Sequence, residues 1–219
     1  MFGKTYYHES VKKYVILFGT LFNDIWINRK DNTGKTIQSM KVPLSYGPRE
    51  KFLARLEGDP NLDQAFAVVL PRMGFEITGF GYDPERKLHT IGKYIKTENV
   101  ANTQRKSLWN PVPYNINFQL SIFTKATEDG LMIVEQILPF YTPEWNTTIR
   151  LIDDPEVVID VPLVLNNVNS DDVYEGNFEE RRALVWTLDF TMKCLLFGPD
   201  KTQGIIKTVI TDLYGDIPE

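Results

Sequence analysis

Residues 114–126 read YNINFQLSIFTKA. Tyr114, Ile116, Phe118, Leu120, Ile122 and Thr124 alternate with Asn115, Asn117, Gln119, Ser121 and Phe123. Successive side chains of an extended chain point to opposite faces, so this alternation predicts a long strand with one face in a core. Pro111 and Pro113 lead into it and would interrupt a helix. The same period returns in residues 182–197. There Leu184, Trp186, Leu188, Phe190 and Met192 alternate with Val185, Thr187, Asp189 and Thr191. Residues 157–165 and 204–213 are further expected strands, and residues 166–180 read as an acidic connector between strands.

Moving outward, the pattern changes to a helical one in only three places. Val11, Tyr14, Val15, Phe18, Leu21 and Phe22 share one face of a helix over residues 10–22, with Ser10 as the expected N-cap. Asn23-Asp24 ends it. Two alternating stretches, starting at Ile25 and Thr36, flank Asp31-Asn32-Thr33-Gly34 and predict a hairpin that runs on to Ser45. Pro48 opens a short helix closed by Gly58. A third helix follows Thr127, its expected cap, with Glu128 and Asp129 in its first turn. Leu131, Val134, Ile137 and Leu138 form its expected inner face, and Pro139 ends it. Residues 64–82 read as a strand, a kink at Pro71 and Gly74, and a second strand. Strands in runs with few helices between them predict an α+β fold with a mostly antiparallel or mixed sheet. The chain reads as a single domain over residues 1–219, with a long polar loop around 83–107.

The 219 residues suffice for a sizeable core, since a chain this long buries about 70% of its extended surface. With 24 basic and 29 acidic residues the formal charge is −5, which argues against free DNA binding. The one cysteine, Cys194, excludes an intrachain disulfide and a cysteine metal cluster. Two histidines, His8 and His89, leave little for histidine-centred catalysis. The opening MFGKTYYHESVKKY lacks the apolar core of a signal peptide, and no apolar run reaches the ~20 residues that span a bilayer. The cytosol is the expected compartment of synthesis, and no membrane is expected.

Motifs of known chemistry fail on inspection. Gly34-Lys35-Thr36 resembles the end of a phosphate-binding loop, but Arg29 stands where the first glycine belongs. Gly79-Phe80-Gly81 lacks the third glycine of a dinucleotide site and reads as a turn. Asp153, Asp154, Asp160, Asp171 and Asp172 are paired or neighbouring carboxylates without calcium-loop spacing. They read as solvated loop acids, with a metal-dependent enzyme as the alternative. Asn146-Thr147-Thr148 matches the glycosylation sequon but reads as a loop. Cys194 lies on an apolar stretch and reads as an inert core thiol. No catalytic, cofactor-binding or metal-binding residue is expected.

Aromatic and basic residues outside the periodic core form the stronger signal. Phe2, Tyr6 and Tyr7 precede the first helix, and Trp109, Tyr141 and Trp145 flank prolines in expected loops. The doublet Arg105-Lys106 lies beside Trp109. Tyr, Trp and Arg dominate interface hot spots, so these eight residues are the candidate contacts of a subunit in an assembly.

Several stretches, in order along the chain, resemble the tail sheath stabiliser and completion proteins of T4-like contractile-tailed phages. The first is MFG, then Tyr7, Ser10, Tyr14, Leu17, Gly19, Leu21-Phe22, Ile25, Ile27 and Arg29. Next come Val42-Pro43-Leu44-Ser45-Tyr46 with Glu50, Phe52 and Leu56, and Leu70-Pro71-Arg72 with Phe80 and Tyr82. The most specific are Asn110-Pro111, Pro113 and LSIFTKATEDGLMIVEQILPFYTPEWNTTI. Arg181-Arg182 with Trp186, Leu188 and Phe190 close the series. The resemblance implies an α+β tail-terminator fold and a non-enzymatic neck protein. It implies a hexameric ring at the head-proximal end of tube and sheath, with tube, sheath and head-completion proteins as partners. DNA is expected to pass through without specific binding, and the expected location is the virion tail, after assembly in the host cytoplasm. Another neck or baseplate adaptor, or a tube or capsid protein, is the alternative. The T4-like relative carries a longer acidic, proline-rich C-terminal extension than this sequence, which reads to Glu219.

Overall fold

The computed structural model describes residues 5–31, 34–57, 70–97, 104–153, 156–173, 183–204 and 209. In chain order the elements are α1 (Ser10–Phe22), β1 (Trp26–Lys30), β2 (Thr36–Lys41), β3 (Leu44–Tyr46) and α2 (Arg49–Glu57). Then follow β4 (Arg72–Tyr82), β5 (Lys93–Thr97), β6 (Gln104–Trp109), β7 (Val112–Thr124) and α3 (Thr127–Ile137). A 3-10 turn at Leu138–Phe140 leads to β8 (Glu144–Ile152), β9 (Val157–Val173), β10 (Ala183–Leu196) and β11 (Lys201–Gly204). They form a six-stranded sheet in the order β3-β4-β7-β10-β9-β8, a three-stranded sheet β11-β6-β5, and the hairpin β1-β2. Every pairing is antiparallel except β3 with β4, so the fold is α+β with a mostly antiparallel sheet.

The quoted stretch 114–126 sits mid-sheet. β7 pairs with β10 without a register shift from Leu184 opposite Thr124 to Leu196 opposite Val112. Ile116, Phe118, Leu120 and Ile122 are buried on one face, opposite Met192, Phe190, Leu188 and Trp186. α1 lies across this face and inserts Tyr14, Phe18 and Phe22. The Phe18 ring stacks on Phe118 at 4.4 Å and meets Phe75 at 5.2 Å and Phe190 edge-on at 5.4 Å. Such ring pairs contribute about 0.5–1.5 kcal/mol each beyond the area they bury. The buried Tyr14 hydroxyl donates to the Leu195 carbonyl (2.9 Å) and accepts from the Leu195 amide (3.1 Å), so its polar atom is satisfied.

Among the described residues the other face is covered at one end. α2 presses Phe52 against Phe123 and Val185. A Cβ on Gly74 would run into the Phe52 ring, so glycine is what lets α2 lie this close. Beyond α2, the face carries Glu76, Gln119, Asp189 and Asn167 in register across four strands. Gln119 donates to Asp189 (3.0 Å).

α3 packs on the core face with Gly130, Ile133, Val134 and Ile137. A Cβ on Gly130 would stand 2.5 Å from the Trp186 indole nitrogen. Leu131 and Leu138, expected inside, are exposed. The helix is rotated so that buried Asp129 faces the β1-β2 hairpin, where Arg29 Nη2 and Nε meet its carboxylate at 2.6 and 3.2 Å. A paired guanidinium makes that burial tolerable and sets the rotation.

Other expectations are corrected. Ser10 and Thr127 are first helical residues, not caps; Glu9 and Ala126 hold the cap positions without a side-chain cap bond. Pro48 precedes α2. The run from Thr36 to Ser45 breaks at Val42-Pro43, and its end joins the large sheet as β3. Gly79 and Gly81 lie inside β4, where a bulge after Ile77 replaces the expected turn. Residues 83–107 are not loop throughout, since they hold β5 and most of β6. Residues 144–152, with the sequon, are strand β8, and β9 continues through Asn166 to Val173 where a connector was expected. The expected strands within 64–69 and 205–213 fall outside the described residues, Val209 aside. The hairpin turn with Gly34 at φ +80° is as expected.

Candidate assembly surfaces

The eight candidate contact residues fall into three groups. Phe2 lies outside the described residues. Tyr6 and Tyr7 are exposed just before α1. Their segment is tied down by His8, whose Nε2–H donates to the Gly198 carbonyl at 2.8 Å.

Tyr141 and Trp145 come together. Both line a groove of about 370 Å³ between the end of α1, the last turn of α3 and the start of β8. Pro139 stops α3 and turns the chain, which swings Phe140 and Tyr141 towards Trp145, at 4.9 and 6.4 Å between ring centroids. Tyr141 also leans on Phe190 of the core (5.3 Å), and burial pushes its hydroxyl pKa up. It is therefore half a core residue. Phe140 and Leu138 are the exposed members of this region. At the groove's rim Asp24 accepts from the Trp26 indole N–H and pairs with Lys41, and both hold its carboxyl below the usual range.

Arg105, Lys106 and Trp109 come together on β6, the middle strand of the three-stranded sheet. Leu108 points inward and is fully buried, while its cross-strand partner Tyr94 meets Phe197 at 5.7 Å. The alternate residues of β6 share the opposite face. There Lys93 Nζ lies 4.0 Å and Lys201 Nζ 5.8 Å from the Trp109 ring centroid. Arg105 donates to Gln203 across the β6–β11 pair (3.3 Å). Lys106 belongs to the face of Leu108, not to that of Trp109. Neither Trp109 nor Trp145 is in a loop: each sits on a strand.

Sequence reasoning missed Ile91, Ile95, Tyr94, Phe80, Tyr82 and Phe140, all exposed. The adjacent apolar pair Tyr94-Ile95 within Lys93–Thr97 was the available signal, but five residues are too few to stand out.

The carboxylates of the enzyme alternative are scattered. Asp153 pairs with Lys13 (3.6 Å), Asp160 accepts from Thr148, and Asp171 pairs with Arg49 (3.1 Å). Asp154 and the Asp172 side chain lie outside the described residues. Among the described residues no three His, Cys, Asp or Glu side chains gather into a metal site. Cys194 is fully buried on β10, and burial raises its thiol pKa, which disfavours the reactive thiolate. Among the described residues no helix is long and apolar enough to cross a membrane.

Residues 5–219 match the model of a family described as T4-like virus Myoviridae tail sheath stabiliser. The tail completion protein gp15 of Enterobacteria phage T4 is 30% identical over 230 residues, covering 100% of this chain and 83% of that protein. The match runs over nearly every residue, and the chain belongs to the T4-like tail sheath stabiliser family.

Proposed function

We propose that this protein is a non-enzymatic tail completion subunit that caps the head-proximal end of a contractile tail as a hexameric ring. In this reading the ring stops growth of the tube, holds the last disc of extended sheath and presents a docking face to head-completion proteins. Its partners are the tube protein, the sheath protein and the neck proteins, and its place is the virion tail, after assembly in the host cytoplasm. The observation that carries the reading is the family match over residues 5–219.

A closed ring needs a heterologous interface, in which one patch meets a different patch on the neighbour. Two separate surfaces, the groove at Trp145 and the sheet at Trp109, suit that requirement. An obligate seam of this kind buries on the order of 2,000 Å² or more. At −5 per subunit a hexamer carries six times that, −30, and acidic groups lining the channel would let DNA slide past.

Electron microscopy of the purified protein, alone and mixed with tail tubes, tests this. Sixfold rings at tube ends are expected. Twelvefold rings, or long polymers, would replace the terminator with an adaptor or a tube protein. A strongly basic channel in the ring would remove the DNA argument.

A further inference from the structure

The charge of this chain is unevenly distributed. Strands β5, β6 and β11 read KYIKT, QRKSLW and KTQG, with five basic residues and no acidic one. Taking those five from the 24 basic residues leaves 19 against 29 acidic, so the rest of the chain carries −10. Three of the five, Lys93, Arg105 and Lys201, lie on the Trp109 face, while Lys96 and Lys106 oppose each other on the Leu108 side. Lys93 and Lys201 flank the Trp109 ring, Arg105 lies on the same face, and Ile95 beside them is 54% exposed. Among the described residues it is the opposite face, through Leu108 and Tyr94, that is fastened to the core at Phe197. Among the described residues β5 and β11 are also unpaired edges, which natural sheets cover or charge.

We infer that the open face of this three-stranded sheet is one half of the contact between copies, seated on an acidic surface of the next copy. Two such faces would repel each other, so the contact is head-to-tail, as a ring requires. A second copy is the occupant because the chain outside these strands is net acidic, at −10, and complements the three cations of this face. The inference rests on the proposed ring and names the surface that closes it.

The full-length chain is tested in two ways. Reversing two cations in an R105E/K201E variant should weaken self-association roughly tenfold or more by light scattering and flatten its salt dependence, with an unchanged melting temperature. Separately, I95C labelled with a thiol-directed photo-crosslinker should capture a second copy, since the native thiol is buried. Rings that form equally well in the charge-reversed variant would overturn the inference and leave the ring reading standing. Capture of sheath protein or of duplex DNA in place of a second copy would overturn it too. A wild-type chain that stays monomeric alone and on tail tubes would overturn both.

Discussion

The six-stranded and three-stranded sheets use the same strand chemistry but bury themselves differently. The large sheet has α1 and α3 over one face and α2 over part of the other, and its central pair, β7 with β10, runs without a register shift. The small sheet has strands of four to six residues and one fastened face. Its open face carries lysines around a tryptophan where the large sheet carries phenylalanines around a phenylalanine. A region that closes on itself specifies the fold, and a region left half-closed is available to a partner.

The contrast breaks down if mutations in the two sheets cost the same. F118A removes the ring on which Phe18 stacks and should cost about 3–5 kcal/mol, read by urea or thermal unfolding. R29A leaves the Asp129 carboxylate, 2% exposed, without its cation and should cost about 3 kcal/mol in the same assay. Alkaline pH gives a smaller, graded effect. Burial raises Tyr14 and Tyr141 above the ordinary 10.0, so the unfolded chain loses those protons first. Their contribution is complete below about pH 10 and declines as pH rises towards the folded values. The melting temperature should fall above pH 10, less steeply in Y141F. W109A on the small sheet should change stability by about 0.5 kcal/mol or less while weakening assembly. A large loss of stability there would make Trp109 a fold residue and erase the distinction.

What the sequence disclosed follows the same division. Period-2 runs in β7 and β10 are long and apolar on one side, so they were legible, as was the α1 face of Tyr14, Phe18 and Phe22. β8 was not: in Glu144–Ile152 the alternation of Trp145, Ile149 and Leu151 is interrupted by Thr147, and the stretch follows Pro143 and holds the sequon, so it read as a loop. β5 and β6 were hidden because they are short and each carries two basic residues. The rotation of α3 escaped because Asp129 reads as a favourable helix-start charge. Only the fold brings Arg29, a hundred residues away, against it. The candidate contacts were found by residue type, but their grouping into a groove and a sheet needed the topology.

The tie between Tyr14 and Leu195 has a consequence during synthesis. Helix α1 is made early, and Phe18 can meet Phe75 and Phe118 once β4 and β7 exist. Its seat is finished only when Phe190, Leu195 and Gly198 arrive, which pair with Phe18, Tyr14 and His8. At about 5–20 residues per second, the nascent chain holds a greasy helix with an incomplete socket for roughly 10–35 s. A ribosome making this protein thus holds this apolar helix incompletely seated for most of translation. The yield of assembly-ready subunits should depend on chaperone supply more than on the stability of the finished fold.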